Sequence, residues 1–180
     1  GKGVPVLKSI FRPTLLVLLS LALLVSCGYR NPYVYSGPER SIYVTNWKNR
    51  TSELQLDSNI YQALIRWFQK SGSLKITRQK QGADYILAGE IVSINLPSLT
   101  YSSFGNASEV KIRLKVRYIL KDLNNDAVLI EQPLETWTEE YRITGDFTST
   151  KDNENDALEV IIDELAQKIY QRSLLEFAKL

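Results

Sequence analysis

The sequence predicts an α+β domain in which two amphipathic helices pack on one face of a mixed four- to five-stranded sheet. Three observations carry that expectation. One long strand alternates apolar and cationic residues, two separated stretches place apolar residues at helical spacing, and short β-branched runs lie before and between them. Two helices on one face would cover both apolar stripes and leave the other sheet face exposed or bound.

The elements follow in chain order. Residues 41–45 are β-branched and aromatic and predict a first strand. Residues 46–52 are polar and turn-like. Leu56, Ile60, Ala63, Leu64, Trp67 and Phe68 then recur on one helical face, with Gly72 placed as a left-handed cap. A second strand is expected over 74–77. A third, over 83–95, is apolar on both faces and therefore central, and Pro97 ends it. Residues 98–108 form a small-residue loop carrying Tyr101 and Phe104, which could insert into a partner or fold back over the core.

The clearest period follows. Val110, Ile112, Leu114, Val116, Tyr118 and Leu120 alternate with Lys111, Arg113, Lys115, Arg117, Ile119 and Lys121, giving one buried face and one row of cations. Residues 122–127 supply a turn, and 128–139 return as the hairpin partner. If Leu123 pairs with Ala127, then Lys115 faces Glu135, Lys111 faces Glu139 and Arg113 faces Trp137. The closing helix, expected over 152–177, carries Leu158, Ile161, Ile162, Leu165, Ile169 and Leu174 or Leu175, with acids in its first turn and cations further on.

Ahead of the domain, Lys2, Lys8 and Arg12 precede an 11-residue apolar run over 15–25. That is the order of an export signal, and the run is short of the roughly 20 residues a membrane span needs. The boundaries expected are 1–26 as a signal peptide, 27–40 as a tether and 41–180 as a single α/β sandwich domain. Removing the leader's three cations turns 22 Lys and Arg against 20 Asp and Glu into 19 against 20, a net charge of −1. No basic excess remains to recruit nucleic acid.

Catalytic constellations fail one by one. The chain has no His and one Cys, so nucleophile–His pairs and the usual zinc or copper ligands are missing, and no cofactor is expected. The carboxylate pairs Glu139/Glu140 and Asp163/Glu164 fit solvated positions. No glycine-rich phosphate loop follows a strand. The expectation is a non-enzymatic protein. Specific chemistry is best sought in Lys111, Arg113, Lys115 and Arg117, cations about 6.8 Å apart along one line. They could meet phosphates such as those of lipid A, Arg offering bidentate contacts, or form an ordinary ladder of cross-strand ion pairs. The two readings can coexist.

Two resemblances add to this. Leu24, Val25, Ser26 and Cys27 resemble the lipobox of bacterial lipoproteins, which makes Cys27 the lipidated residue and the membrane anchor. Gly28, where Asp would favour inner-membrane retention, implies the periplasmic face of the cell outer membrane. The mature chain then resembles the LptE family of lipopolysaccharide-assembly lipoproteins. The residues concerned are Cys27, Gly28, Tyr29 and Arg30 at the lipid site, the 42–45 strand followed by Asn49, Arg50 and Thr51, and the helix ending near Trp67 and Phe68. The run over 83–91, Leu99, Thr100 and Tyr101 before the alternating strand, and the long closing helix complete the match. The resemblance implies two helices on a mixed sheet and a plug within the outer-membrane barrel LptD. It also implies lipopolysaccharide binding, sought here in the cationic strand and in Tyr101 and Phe104. The first half alone also resembles outer-membrane lipoproteins of the curli-channel or penicillin-binding-protein-activator type, which would imply a periplasmic partner instead.

Overall fold

The computed structural model describes residues 31, 33–97 and 109–180. Six strands and two helices follow one another as β1 (Arg40–Val44), β2 (Lys48–Asn49), α1 (Leu56–Phe68), β3 (Leu74–Thr77), β4 (Tyr85–Asn95), β5 (Glu109–Asp122), β6 (Val128–Arg142) and α2 (Phe147–Phe177). They form one mixed sheet in the order β3-β1-β4-β5-β6, with β2 beside β4. Strands β3, β1 and β4 run parallel, and β4, β5 and β6 form an antiparallel meander. The predicted class and packing are therefore present, with one strand more than expected.

The extra strand explains a buried tryptophan. After β1 the chain steps outward at Thr45 and rejoins the β4 ladder at Lys48, opposite Glu90. Trp47 fills the step, buried and stacked on Tyr118 with ring centroids 6.0 Å apart. It can lie there because Gly89 has no side chain: an added Cβ would sit 2.3 Å from the indole ring. A two-residue strand carries no periodicity, so only a turn was legible over 46–52. Asn49 organises that turn, accepting from Thr51 N–H at 2.9 Å and Thr51 Oγ1 at 2.7 Å and donating to the Glu53 carbonyl at 2.8 Å.

Both helices cover the same sheet face, over Ile42, Leu87, Ile91, Ile112, Leu114 and Val116. They run parallel, because contacts climb together along both chains: Arg66 with Asp163, then Phe68 with Tyr170, then Ser71 with Tyr170. Helix α1 ends without the expected left-handed Gly72. Gln69 N–H closes on Ile65, Lys70 N–H on Trp67 and Ser71 N–H on Phe68, so tightening turns unwind it and positive φ is not needed at Gly72. Helix α2 begins at Phe147, five residues before the expected start, because Asp146 caps it by accepting from Ser149 N–H at 2.8 Å. The earlier start leaves no acid in its first turn and no cation in its last. Its buried face mixes Ile161, Leu165 and Ile169 with Thr150, Glu154 and Ser173, while Leu175 points outward.

The β5–β6 register corrects the expectation by one residue over most of its length. Lys111 faces Glu140, Arg113 faces Thr138 and Lys115 faces Thr136, while Glu135 lies opposite Val116 and Trp137 opposite Leu114. Of two bulges, one between Val116 and Tyr118 and one between Leu120 and Lys121, the first causes the slip and the second offsets a turn one residue shorter than expected. The first takes up Pro133, which has no N–H for the ladder and is accommodated where pairing is already broken. The turn is also tighter than expected, with Asp122 N–H donating to the Ala127 carbonyl at 2.8 Å.

Candidate functional site

Strand β5 puts every second side chain into the core and the others on the open sheet face, as its alternation predicts. The four cations share that face but not the same fate. Lys111 reaches Glu140 of β6 at 2.8 Å. Arg117 clamps Glu90 of β4, its Nε 2.8 Å from Oε2, and Arg50 holds the other carboxylate oxygen. Glu90 is 9% exposed, so this doubly paired carboxylate is the buried charge of an otherwise solvated face. Lys121, next along, pairs with Asp126 at 2.6 Å.

Arg113 and Lys115 differ. Their neighbours on β4 are Asn95 and Ser93, and on β6 Thr138 and Thr136. Among the described residues neither cation has a carboxylate in salt-bridge contact. Two exposed cations therefore stand about 6.8 Å apart, framed by an amide and three hydroxyls that can donate hydrogen bonds. Of the two readings left open by the sequence, ion pairing holds at Lys111 and Arg117, and the middle of the strand is unpaired among the described residues. Such a patch can accept phosphates or carboxylates on a polar, sugar-like body.

Below the middle, the Pro133 bulge opens a shallow hollow of about 340 Å³ between Glu90, Arg117, Ile119, Gln132 and Pro133. On the covered side, Tyr118 locks β5 to β6 and α2. Its hydroxyl donates to Glu135 at 3.0 Å, and Arg172 contacts both, lying 2.9 Å from Glu135. Burial, then the Glu135 charge, pushes the Tyr118 phenol up to about 12. At the start of β4, partial burial raises the Asp84 carboxyl, but hydrogen bonds from Ser41 N–H and Oγ and from Asn124, with Arg40 nearby, outweigh it. Asp84 ends below its ordinary value.

Sequence reasoning missed Glu90, Arg50 and the polar frame of Ser93, Asn95, Thr136 and Thr138. Glu90 left a signal, being the one charge in an apolar strand. Its partner lies on the neighbour that no hairpin rule assigns. Cys27, Tyr101 and Phe104 lie outside the described residues. Among the described residues no cluster of His, Cys, Asp or Glu could hold a metal ion, and no helix is long and apolar enough to cross a membrane.

The comparisons agree with this architecture. The family model described as LptE, lipopolysaccharide-assembly, matches residues 39–173. Protein XCC0632 from Xanthomonas campestris superposes with a TM-score of 0.56 at 12% identity, covering 80% of this chain and 90% of its own. The hypothetical protein CT253 from Chlamydia trachomatis gives 0.52 at 13% identity, covering 76% and 96%. Uncharacterized lipoprotein B from Nitrosomonas europaea gives 0.50 at 16% identity, covering 80% and 88%. At such identities these structures speak for the fold alone. A comparison with curated proteins finds no match.

Proposed function

Because the chain belongs to the LptE family of lipopolysaccharide-assembly proteins, a non-enzymatic family, we propose that it is the lipid-anchored subunit that plugs and supports the LptD barrel and binds lipopolysaccharide during its insertion in the outer leaflet. The observation that carries the binding half is the unpaired middle of β5. Arg113 and Lys115 present two cations among hydroxyl and amide groups, as a phosphorylated sugar requires. The paired Lys111 and Arg117 hold the strand to β6 and β4 and contribute less to capture. In this reading Cys27 carries the lipid at the periplasmic face of the outer membrane, and Tyr101 and Phe104 contribute to the partner surface.

The test separates the middle from the ends. Arg113→Glu with Lys115→Glu is expected to cut lipopolysaccharide capture by the purified protein at least tenfold while the free energy of urea unfolding stays within about 0.5 kcal/mol of unchanged. Unchanged capture would return β5 to a structural role. For the barrel half, affinity purification from envelope membranes should recover a large outer-membrane barrel. Recovery of a periplasmic cell-wall synthase without any barrel would replace this proposal by the activator reading.

A further inference from the structure

Within the tether expected over 27–40, Tyr33 and Tyr35 are held against the domain. Tyr35 N–H donates to Ser71 Oγ at 2.7 Å, Ser71 Oγ meets the Tyr170 hydroxyl at 2.6 Å, and that hydroxyl also contacts the Tyr33 carbonyl. The Tyr35 ring packs edge-on to Phe177 at 5.9 Å, and Phe177 stacks on Tyr85 at 4.3 Å. The incoming chain is thus latched to the C-terminal ends of α1 and α2. Only five residues lie between Cys27 and Tyr33, and the six steps at 3.3–3.6 Å each span at most about 22 Å.

The latched end has the composition of a lipid interface. Tyr33 is 54% exposed, Leu175 66% and Leu180 66%, with Val34 also exposed. Trp67 is half-buried in the last turn of α1 with Lys70 over its ring, and Lys179 stands beside Leu180. Aromatic rings, aliphatic side chains and lysines together suit the level where headgroups meet acyl chains.

We propose that this end, formed by Tyr33, Val34, Leu175 and Leu180, is a bilayer-docking surface that rests on the lipid leaflet holding the anchor. It rests on the lipoprotein reading of Cys27 and is independent of barrel binding. The latch turns a flexible attachment into an oriented one: α2, with 31 residues at 1.5 Å each, spans about 46 Å and carries Phe147 away from the leaflet.

The experiment uses the full lipidated chain in vesicles of phosphatidylethanolamine and phosphatidylcholine containing a headgroup-nitroxide lipid. A fluorophore is placed through Leu180→Cys or Phe147→Cys, Cys27 being consumed by its lipid. Phe147 is 61% exposed, so the two sites differ in place, not in accessibility. The label at 180 is expected to be quenched at least threefold more than the label at 147. Equal or reversed quenching in a lipidated chain overturns the docking surface alone. Mass spectrometry showing an unmodified Cys27 overturns the lipoprotein reading and the docking with it. Ser71→Ala with Tyr170→Phe should bring the two labels toward equality while circular dichroism still shows a folded domain. Undiminished contrast there overturns the latch as its cause.

Discussion

The two faces of β5 belong to one strand and obey opposite rules. Leu114 is fully buried against the helices, while its neighbours Arg113 and Lys115 stand in solvent on the other side. The covered face is fixed by packing, where each side chain's volume is specified by others. The open face is fixed by charge, and only where carboxylates answer the cations. One face therefore carries stability and the other is free to carry recognition. Glu90 is the exception that connects them, a buried carboxylate on the open side tying β4 to Arg50 and Arg117.

The sharpest way to break the comparison is at adjacent positions. Leu114→Ala should cost about 2–5 kcal/mol in urea unfolding, the range for a buried leucine leaving a cavity. Gly89→Ala should cost about 1–3 kcal/mol, because the new methyl must displace an indole that has no room to yield. Near-ultraviolet circular dichroism should report the disturbed Trp47–Tyr118 stack. Smaller still is Asp84→Asn, at about 1–2 kcal/mol near neutral pH. Since folding lowers the Asp84 carboxyl, its contribution is complete above the ordinary carboxylate value. It disappears as pH falls through the lowered folded value. The gap between the natural chain and the variant should therefore close in acid. Smallest is Arg113→Ala, expected within about 0.5 kcal/mol by the same measurement. A large loss there would mean that the open face also holds the fold together.

What the sequence made legible follows the same division. Alternation exposes which β5 residues are buried, because burial on one face repeats every second residue regardless of what pairs beside it. Register is different. It depends on the bulges at Pro133 and near Leu120, and each moves one residue out of the ladder without disturbing the alternation of β5. Pro133 was the available warning, since a proline inside a strand run marks a bulge or an edge. The Arg117–Glu90 clamp was hidden for another reason. Its carboxylate comes from β4, separated from β5 in the chain by residues 96–108, and no local rule sets that pairing. The start of α2 could have been read from Asp146 and Ser149, a cap three residues apart ahead of a polar first turn. The latch of Tyr33 and Tyr35 on Tyr170 and Ser71 joins positions 137 and 36 residues apart and left no sequence signal.

The parallel run of α1 and α2 has an electrical consequence. Peptide dipoles add along each helix, leaving roughly half a negative charge at each C-terminus, and here both C-termini lie at the latched end. The last turn of α2 holds no cation, but the last turn of α1 holds Arg66, and Lys70 and Lys179 stand just beyond the two helix ends. Backbone carbonyls and lysine ammonium groups therefore meet at one end of the domain, where each offsets part of the other's charge. Contact of that end with a leaflet would then rest on its aromatic and aliphatic side chains, and adding salt should change it little.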